Sequence, residues 1–91
     1  MIKLSGWLIC KNVNESEVVQ RFLPEHMRLT KQEAGCLSFS VTETADPLLW
    51  KVEELFTDKQ TFEAHQLRTK ASIWGEKTLS IRREYDISEV K

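Results

Sequence analysis

Hydrophobic and polar positions alternate with a period of two in four stretches of this chain, and between them fall at helical spacing. From Ile2 to Cys10, Ile2, Leu4, Leu8 and Cys10 oppose Lys3, Ser5, Trp7 and Ile9, the pattern of a half-buried strand. Gly6 inside it lets another backbone or side chain approach closely. Lys11 to Glu15 reads as a turn, with Asn14 or Ser16 able to cap the next element. From Glu17 to Glu33, Val18, Val19, Phe22, Leu23, His26, Met27, Leu29 and Thr30 keep helical spacing. Pro24 removes a donor there, which predicts a kinked helix or two short ones meeting near Leu23.

Gly35 suits the left-handed turn that stops a helix. A second strand comes next, with Leu37, Phe39 and Val41 on one face and Cys36, Ser38, Ser40 and Thr42 on the other. Thr44 to Pro47 has the chemistry of a hairpin loop. Leu48 to Phe56 returns as a third strand, with Trp50, Val52, Glu54 and Phe56 sharing a face. The period then changes abruptly. Thr57-Asp58 can cap a helix from Lys59 to about Leu67, and Arg68-Thr69 a second one reaching Gly75 or Lys77. Leu79 to Ile87 alternates again, setting Leu79, Ile81, Arg83, Tyr85 and Ile87 on one side.

This βαββαβ order predicts one α+β domain over residues 1–91, ferredoxin-like, with a four-stranded antiparallel sheet and the helices on one face. The uncovered face would carry Trp7, Ile9, Leu49 and Leu55 beside Ser38, Ser40 and Lys51. That is much apolar surface for water, so a second copy packed there, a homodimer, is the expected cover. A chain of 91 residues also has a thin core, which an oligomer would supplement.

Charge removes several function classes. The net charge is −1 and bases are interleaved with acids, which is no footprint for nucleic acid. Arg21, Glu25 and Arg28 are spaced to pair along a solvated helix face. No apolar run approaches the ~18–20 residues of a membrane span, and no secretory leader is evident, so a cytoplasmic location is expected. Cys10 and Cys36 lie too far apart for a CxxC motif and read as small buried hydrophobes. No His and Cys stand at metal-ligand spacing, so no metal site is expected.

Chemistry concentrates between Val52 and Trp74. Glu54 interrupts a largely apolar strand face, and His65 lies on the next helix with Phe62 and Leu67. A carboxylate, an imidazole and several aromatic rings could thus share one pocket. Glu33-Ala34-Gly35-Cys36-Leu37, then Glu54-x-Phe56, then Asp58-x-x-x-Phe62-x-x-His65 together resemble the antibiotic biosynthesis monooxygenase domain family, including its quinol monooxygenase-like members. The resemblance spans nearly the whole chain. It departs from the common pattern in having Phe56 where Trp is usual, and Arg68-Thr69-Lys70 where many relatives carry Thr-Pro-His with a second histidine. The Asn, Trp and His set of haem-degrading relatives has no counterpart, since Ser5 and Trp7 are not accompanied by Asn and His65 stands where those proteins tend to have Trp. Haem oxygenation is disfavoured accordingly.

The resemblance implies a dimeric α/β barrel with a pocket between sheet and helices in each subunit. It also implies oxidation of a small aromatic quinol or phenol by O2 without flavin, haem or metal. Such chemistry needs a base, a way to hold a phenolate, and an apolar cavity, because a deprotonated phenol gives an electron to triplet O2 far more easily. His65, with an ordinary pKa of about 6.5, suits the base. Glu54 could fix the His65 tautomer or act as base itself, or simply pair with Arg82 or Arg83. Arg68 is a candidate oxyanion partner and Trp74 a stacking surface. Phe62, Trp50 and Phe39 complete the expected substrate contacts. Two other classes use the same pocket: a small-molecule binding or stress-response module without turnover, and an isomerase of a small carbonyl compound.

Overall fold

The computed structural model describes all residues from Met1 to Lys91. In chain order the elements are β1 (Ile2–Ile9), α1 (Val13–Lys31), β2 (Cys36–Glu43), β3 (Leu49–Phe56), α2 (Lys59–Ala71), α3 (Ile73–Lys77) and β4 (Arg82–Glu89). The four strands form one sheet in the order β2-β3-β1-β4, and every neighbouring pair is antiparallel. This is the ferredoxin-like arrangement that the alternation predicts. None of its helices is long and apolar enough to cross a membrane.

The buried core joins the inner sheet face to the helices. Leu4 and Leu8 of β1, Val52 and Phe56 of β3, and Val19 of α1 are almost wholly out of water. Along α1 the buried residues are Glu15, Val19, Leu23, His26 and Thr30, a stripe at helical spacing that brings polar side chains into the core layer.

The structure corrects three local expectations. First, α1 runs unbroken through Pro24 and starts earlier, capped by Asn12, whose side chain accepts from the Glu15 backbone N–H. Pro24 and Gln20, the residue four before it, both lie on the exposed side, where water can satisfy the carbonyl that loses its donor. Second, a bulge between Cys36 and Ser38 turns Leu37 out of the inner face, and it is exposed. An extra residue on one strand flips the side-chain parity that alternation assumes. Third, the C-terminal boundaries shift: α2 runs on to Ala71, so that Ser72 and not Arg68-Thr69 caps α3, and β4 begins at Arg82, because Leu79 is spent in the turn after α3 and lies exposed.

Other local signals correspond directly. Gly35 has φ +83°, a left-handed conformation that side chains resist, though it turns the chain into β2 while α1 is already closed by Gln32. Asp58 caps α2 in a capping box with Thr61. The Glu25–Arg28 pair forms on the outer face of α1, while the Arg21 guanidinium lies over the Phe22 ring. On the outer sheet face Trp7, Ile9, Leu49 and Leu55 are half-buried, with the Lys51 ammonium 4.4 Å from the Trp7 ring centre.

Gly6 pairs with Tyr85 across β1 and β4, and that contact leaves no room for a side chain. A Cβ there would stand 2.0 Å from the Glu84 carbonyl oxygen and 2.8 Å from the Tyr85 Cα. Both are backbone atoms that give only if the strands part. Gly6→Ala is therefore expected to destabilise the fold by about 2–3 kcal/mol, read as a lowered midpoint in urea denaturation.

Candidate active site

Three elements converge on His65. The α2 stripe of Phe62 and His65 faces the sheet, β3 presents Glu54 from its inner face, and Glu33 stands in the turn that leaves α1. His65 Nδ1 lies 2.8 Å from Glu33 Oε1, and His65 Nε2 lies 3.5 Å from Glu54 Oε1. An imidazole at 1% exposure is thus held between two carboxyl groups. Arg68, one turn further along α2, donates to Glu33 at 2.9 Å and to Thr30 Oγ1 at 3.0 Å. The Thr69 hydroxyl is 3.5 Å from Nε2.

The two carboxyls are made different by their surroundings. Burial works against the charged form of Glu33, but hydrogen bonds from Arg68 and His65 outweigh it and hold its carboxyl below the usual range. Glu54 has no such support. Burial first, and the nearby Glu33 charge second, push it up to about 7. Its Oε1 has no hydrogen-bond partner, since the approach to His65 Nε2 is longer than a hydrogen bond of ordinary length. His65 itself is lowered, by burial first, with the Glu33 hydrogen bond and charge opposing that shift. The network then assigns one arrangement: Nδ1–H donates to Glu33, and Nε2 keeps its lone pair toward Glu54.

A void of about 40 Å³ adjoins this pair, walled by Leu8, Phe39, Val52, Trp74, Arg83 and Tyr85 among others. It is large enough for a water molecule but far below the roughly 150 Å³ that a benzene-sized ligand needs. The roomy aromatic pocket expected from the sequence is therefore not formed around Glu54 and His65 in this state. Next to it, between α1 and α3, runs a groove of about 500 Å³ lined by Phe22, Leu29, Arg68, Ile73 and others.

The residues named from the sequence do not gather at one place. Glu54, His65, Phe39 and Trp74 meet at the small void, while Arg68 lines the groove with its guanidinium committed to Glu33 and Thr30. Phe62 packs edge-on against Phe56 at 5.8 Å and touches neither space. Trp50 lies towards the far end of β3, where its indole N–H donates to Ser16 Oγ at 3.0 Å; it borders a separate cleft beside the N-terminal part of α1. Arg82 and Arg83, the alternative partners expected for Glu54, are engaged elsewhere. Arg82 pairs with Glu84, and Arg83 donates to the Thr78 and Ile81 carbonyls and to Thr78 Oγ1. Those bonds tie the end of α3 to β4 and so fix the backbone that carries Trp74.

Four neighbouring residues have weaker sequence signals. Glu33 reads as a turn residue, 32 positions from its imidazole. His26 is buried and stacks on the Trp74 indole, with ring centres 4.7 Å apart and planes 3° from parallel. Tyr85 is pushed up to about 12, chiefly by burial, so its hydroxyl stays protonated. Cys36, half-buried at the start of β2, has its thiol raised by burial and then by the charges of Glu33 and Glu54. No group of three His, Cys, Asp or Glu side chains has metal-holding geometry.

Residues 11–71 match the sequence profile described as antibiotic biosynthesis monooxygenase. Among solved structures, a candidate antibiotic biosynthesis monooxygenase from Deinococcus radiodurans superposes with a TM-score of 0.83 at 20% identity, covering 100% of this chain and 93% of that one. Another from Nitrosomonas europaea gives 0.82 at 16% identity over 99% and 98%. A protein of unknown function from the same organism gives 0.79 at 16% over 98% and 87%. These likenesses concern the fold. No curated protein matches the chain.

The raised Glu54 carboxyl has a measurable cost. The folded state holds its proton more tightly than the unfolded chain, so stability falls as pH rises from about 4.5 towards about 7 and levels off above that. Glu54→Gln removes the ionisation. The variant is expected to exceed the parent by on the order of 2–3 kcal/mol at pH 8.5 and by little at pH 4, as measured by urea denaturation at both values.

Proposed function

The chain belongs to the antibiotic biosynthesis monooxygenase family, and from that premise we propose that it oxidises a small aromatic quinol or phenol with O2. The observation that carries this reading is the Glu33–His65–Glu54 arrangement: a buried imidazole fixed at Nδ1 by one carboxylate, its other nitrogen 3.5 Å from a second carboxyl raised to about 7. A group that titrates near neutral pH is suited to taking a proton from a phenol.

In this reading ionised Glu54, or His65 Nε2 beside it, accepts the phenolic proton. Glu33 keeps the imidazole in one orientation throughout. The phenolate passes an electron to O2, the two radicals combine at a ring carbon, and the hydroperoxide formed loses water. Overall, a quinol and O2 give a hydroxyquinone and water. One oxygen atom stays on the ring, the other leaves as water, and all four electrons come from the ring. The balance closes without a further reductant, so turnover without added flavin, haem or metal belongs to the proposal. The burial of His65 and Glu54 favours keeping the anion apart from bulk water.

A homodimer belongs to the same reading. Its support is the outer sheet face, where Trp7, Ile9, Leu49 and Leu55 remain half-buried in the single chain. Two free cysteines suit a reducing compartment such as the cytoplasm.

Oxygen uptake with naphthoquinols, anthrones and catechols, under conditions where background autoxidation is subtracted, tests the activity. His65→Ala is expected to lower kcat/KM by about 10²–10⁴-fold. The parent's rate should climb as pH passes about 7, because the ionised Glu54 is the accepting form. Glu54→Gln should flatten that rise. An isomerase would keep its turnover under nitrogen, and a binding module would return the ligand unchanged in mass.

A further inference from the structure

The small void and the larger groove share two walls, His26 and Trp74. Their stacked rings are all that the two spaces have in common, and each space is deficient without the other. The void has the titrating pair but only about 40 Å³, whereas the groove has about 500 Å³ but neither Glu54 nor His65. Two polar atoms at this boundary are buried without partners: His26 Nδ1, on a side chain 4% exposed, and Arg68 Nε. Buried nitrogens left unpaired cost free energy that a ligand's oxygen atoms would recover. His26 is pushed down to about 3, chiefly by burial, so its ring is neutral and one nitrogen can accept a hydrogen bond.

Resting on the monooxygenase reading, we propose that the α1–α3 groove is the docking compartment for an aromatic diol, and that the Trp74 indole is a movable partition. The incoming ring takes the place of the indole against His26. One oxygen substituent donates to His26 Nδ1 and another accepts from Arg68 Nε–H. The Trp74 indole itself borders the void that holds Glu54 and His65, so a fused two-ring ligand taking its place against His26 comes up to the same void. The motion belongs to the indole, because the α3 backbone is held at both ends: Ser72 Oγ accepts from Gly75 N–H at 3.0 Å, and Thr78 Oγ1 donates to the Trp74 carbonyl at 2.6 Å while accepting from Arg83. Ile73, beside it on the groove wall, is 65% exposed and gives the ligand an apolar rim.

The test is an NMR titration of the full chain with 2,6-dihydroxynaphthalene under nitrogen, following the His26 ring and the Trp74 indole N–H. Both resonances should move with one saturable curve, and naphthalene without hydroxyls should bind at least tenfold more weakly. Ile73→Asp, at an exposed position, should weaken the diol at least tenfold, while Leu67→Asp, on an exposed site outside the groove, should stay within twofold. Trp74→Ala should speed association at least fivefold. Shifts confined to Tyr85, Gln66 and Arg83 with Trp74 stationary would overturn the proposal by placing the way in over β4, and so would no saturable binding. The two readings fail separately. Diol binding at the stack with no oxygen uptake from any quinol sinks the monooxygenase alone. His65-dependent uptake whose KM ignores Ile73→Asp sinks the partition alone.

Discussion

A histidine buried between two carboxyl groups is the constraint around which the rest of this small protein is arranged. Isolated charges are too costly to bury, and the cluster avoids that cost by sharing. Glu33 carries the negative charge and Arg68 balances it, with bonds of 2.8 and 2.9 Å to His65 and Arg68 respectively. His65 is driven towards its neutral form and Glu54 towards its protonated one. Each contributor comes from a different place: the exit of α1, the inner face of β3 and two successive turns of α2. Correct packing of the whole βαββαβ unit is therefore a precondition for the cluster.

Most of the architecture is legible in the sequence because it depends on local period. Strand alternation, the left-handed Gly35 that leads into β2 and the Asp58 cap are short-range signals, and each corresponds to a feature of the fold. Mismatches arise where one residue shifts a pattern. The bulge at Leu37 reverses parity, and Pro24 suggests a break that an exposed helix surface does not require. Glu54 stands out because it interrupts an apolar strand face, and His65 because it shares a helix stripe with Phe62.

Distance is the part that periodicity cannot supply. Trp50 and Glu54 share a strand face, but four residues of strand separate them by about 13 Å, enough to put the indole beside Ser16 and outside the site. Phe62 shares the His65 stripe and yet meets Phe56. Glu33 and His26 approach His65 and Trp74 only after α1 has folded back across the sheet, so no short window of sequence contains either pair. A likeness at 16–20% identity carries this fold across and leaves the site to be built from such individual contacts.

The placement of Cys36 has a further effect. A thiol reacts with oxidants as the thiolate nucleophile, and sulfenic acid formation slows when that form is scarce. Burial first, and then the charges of Glu33 and Glu54, favour the protonated form of this sulfur. A sulfur atom adjacent to a centre proposed to meet O2 is thereby rendered chemically quiet, so the electrostatics that prepare one group for reaction also shield its neighbour from collateral damage.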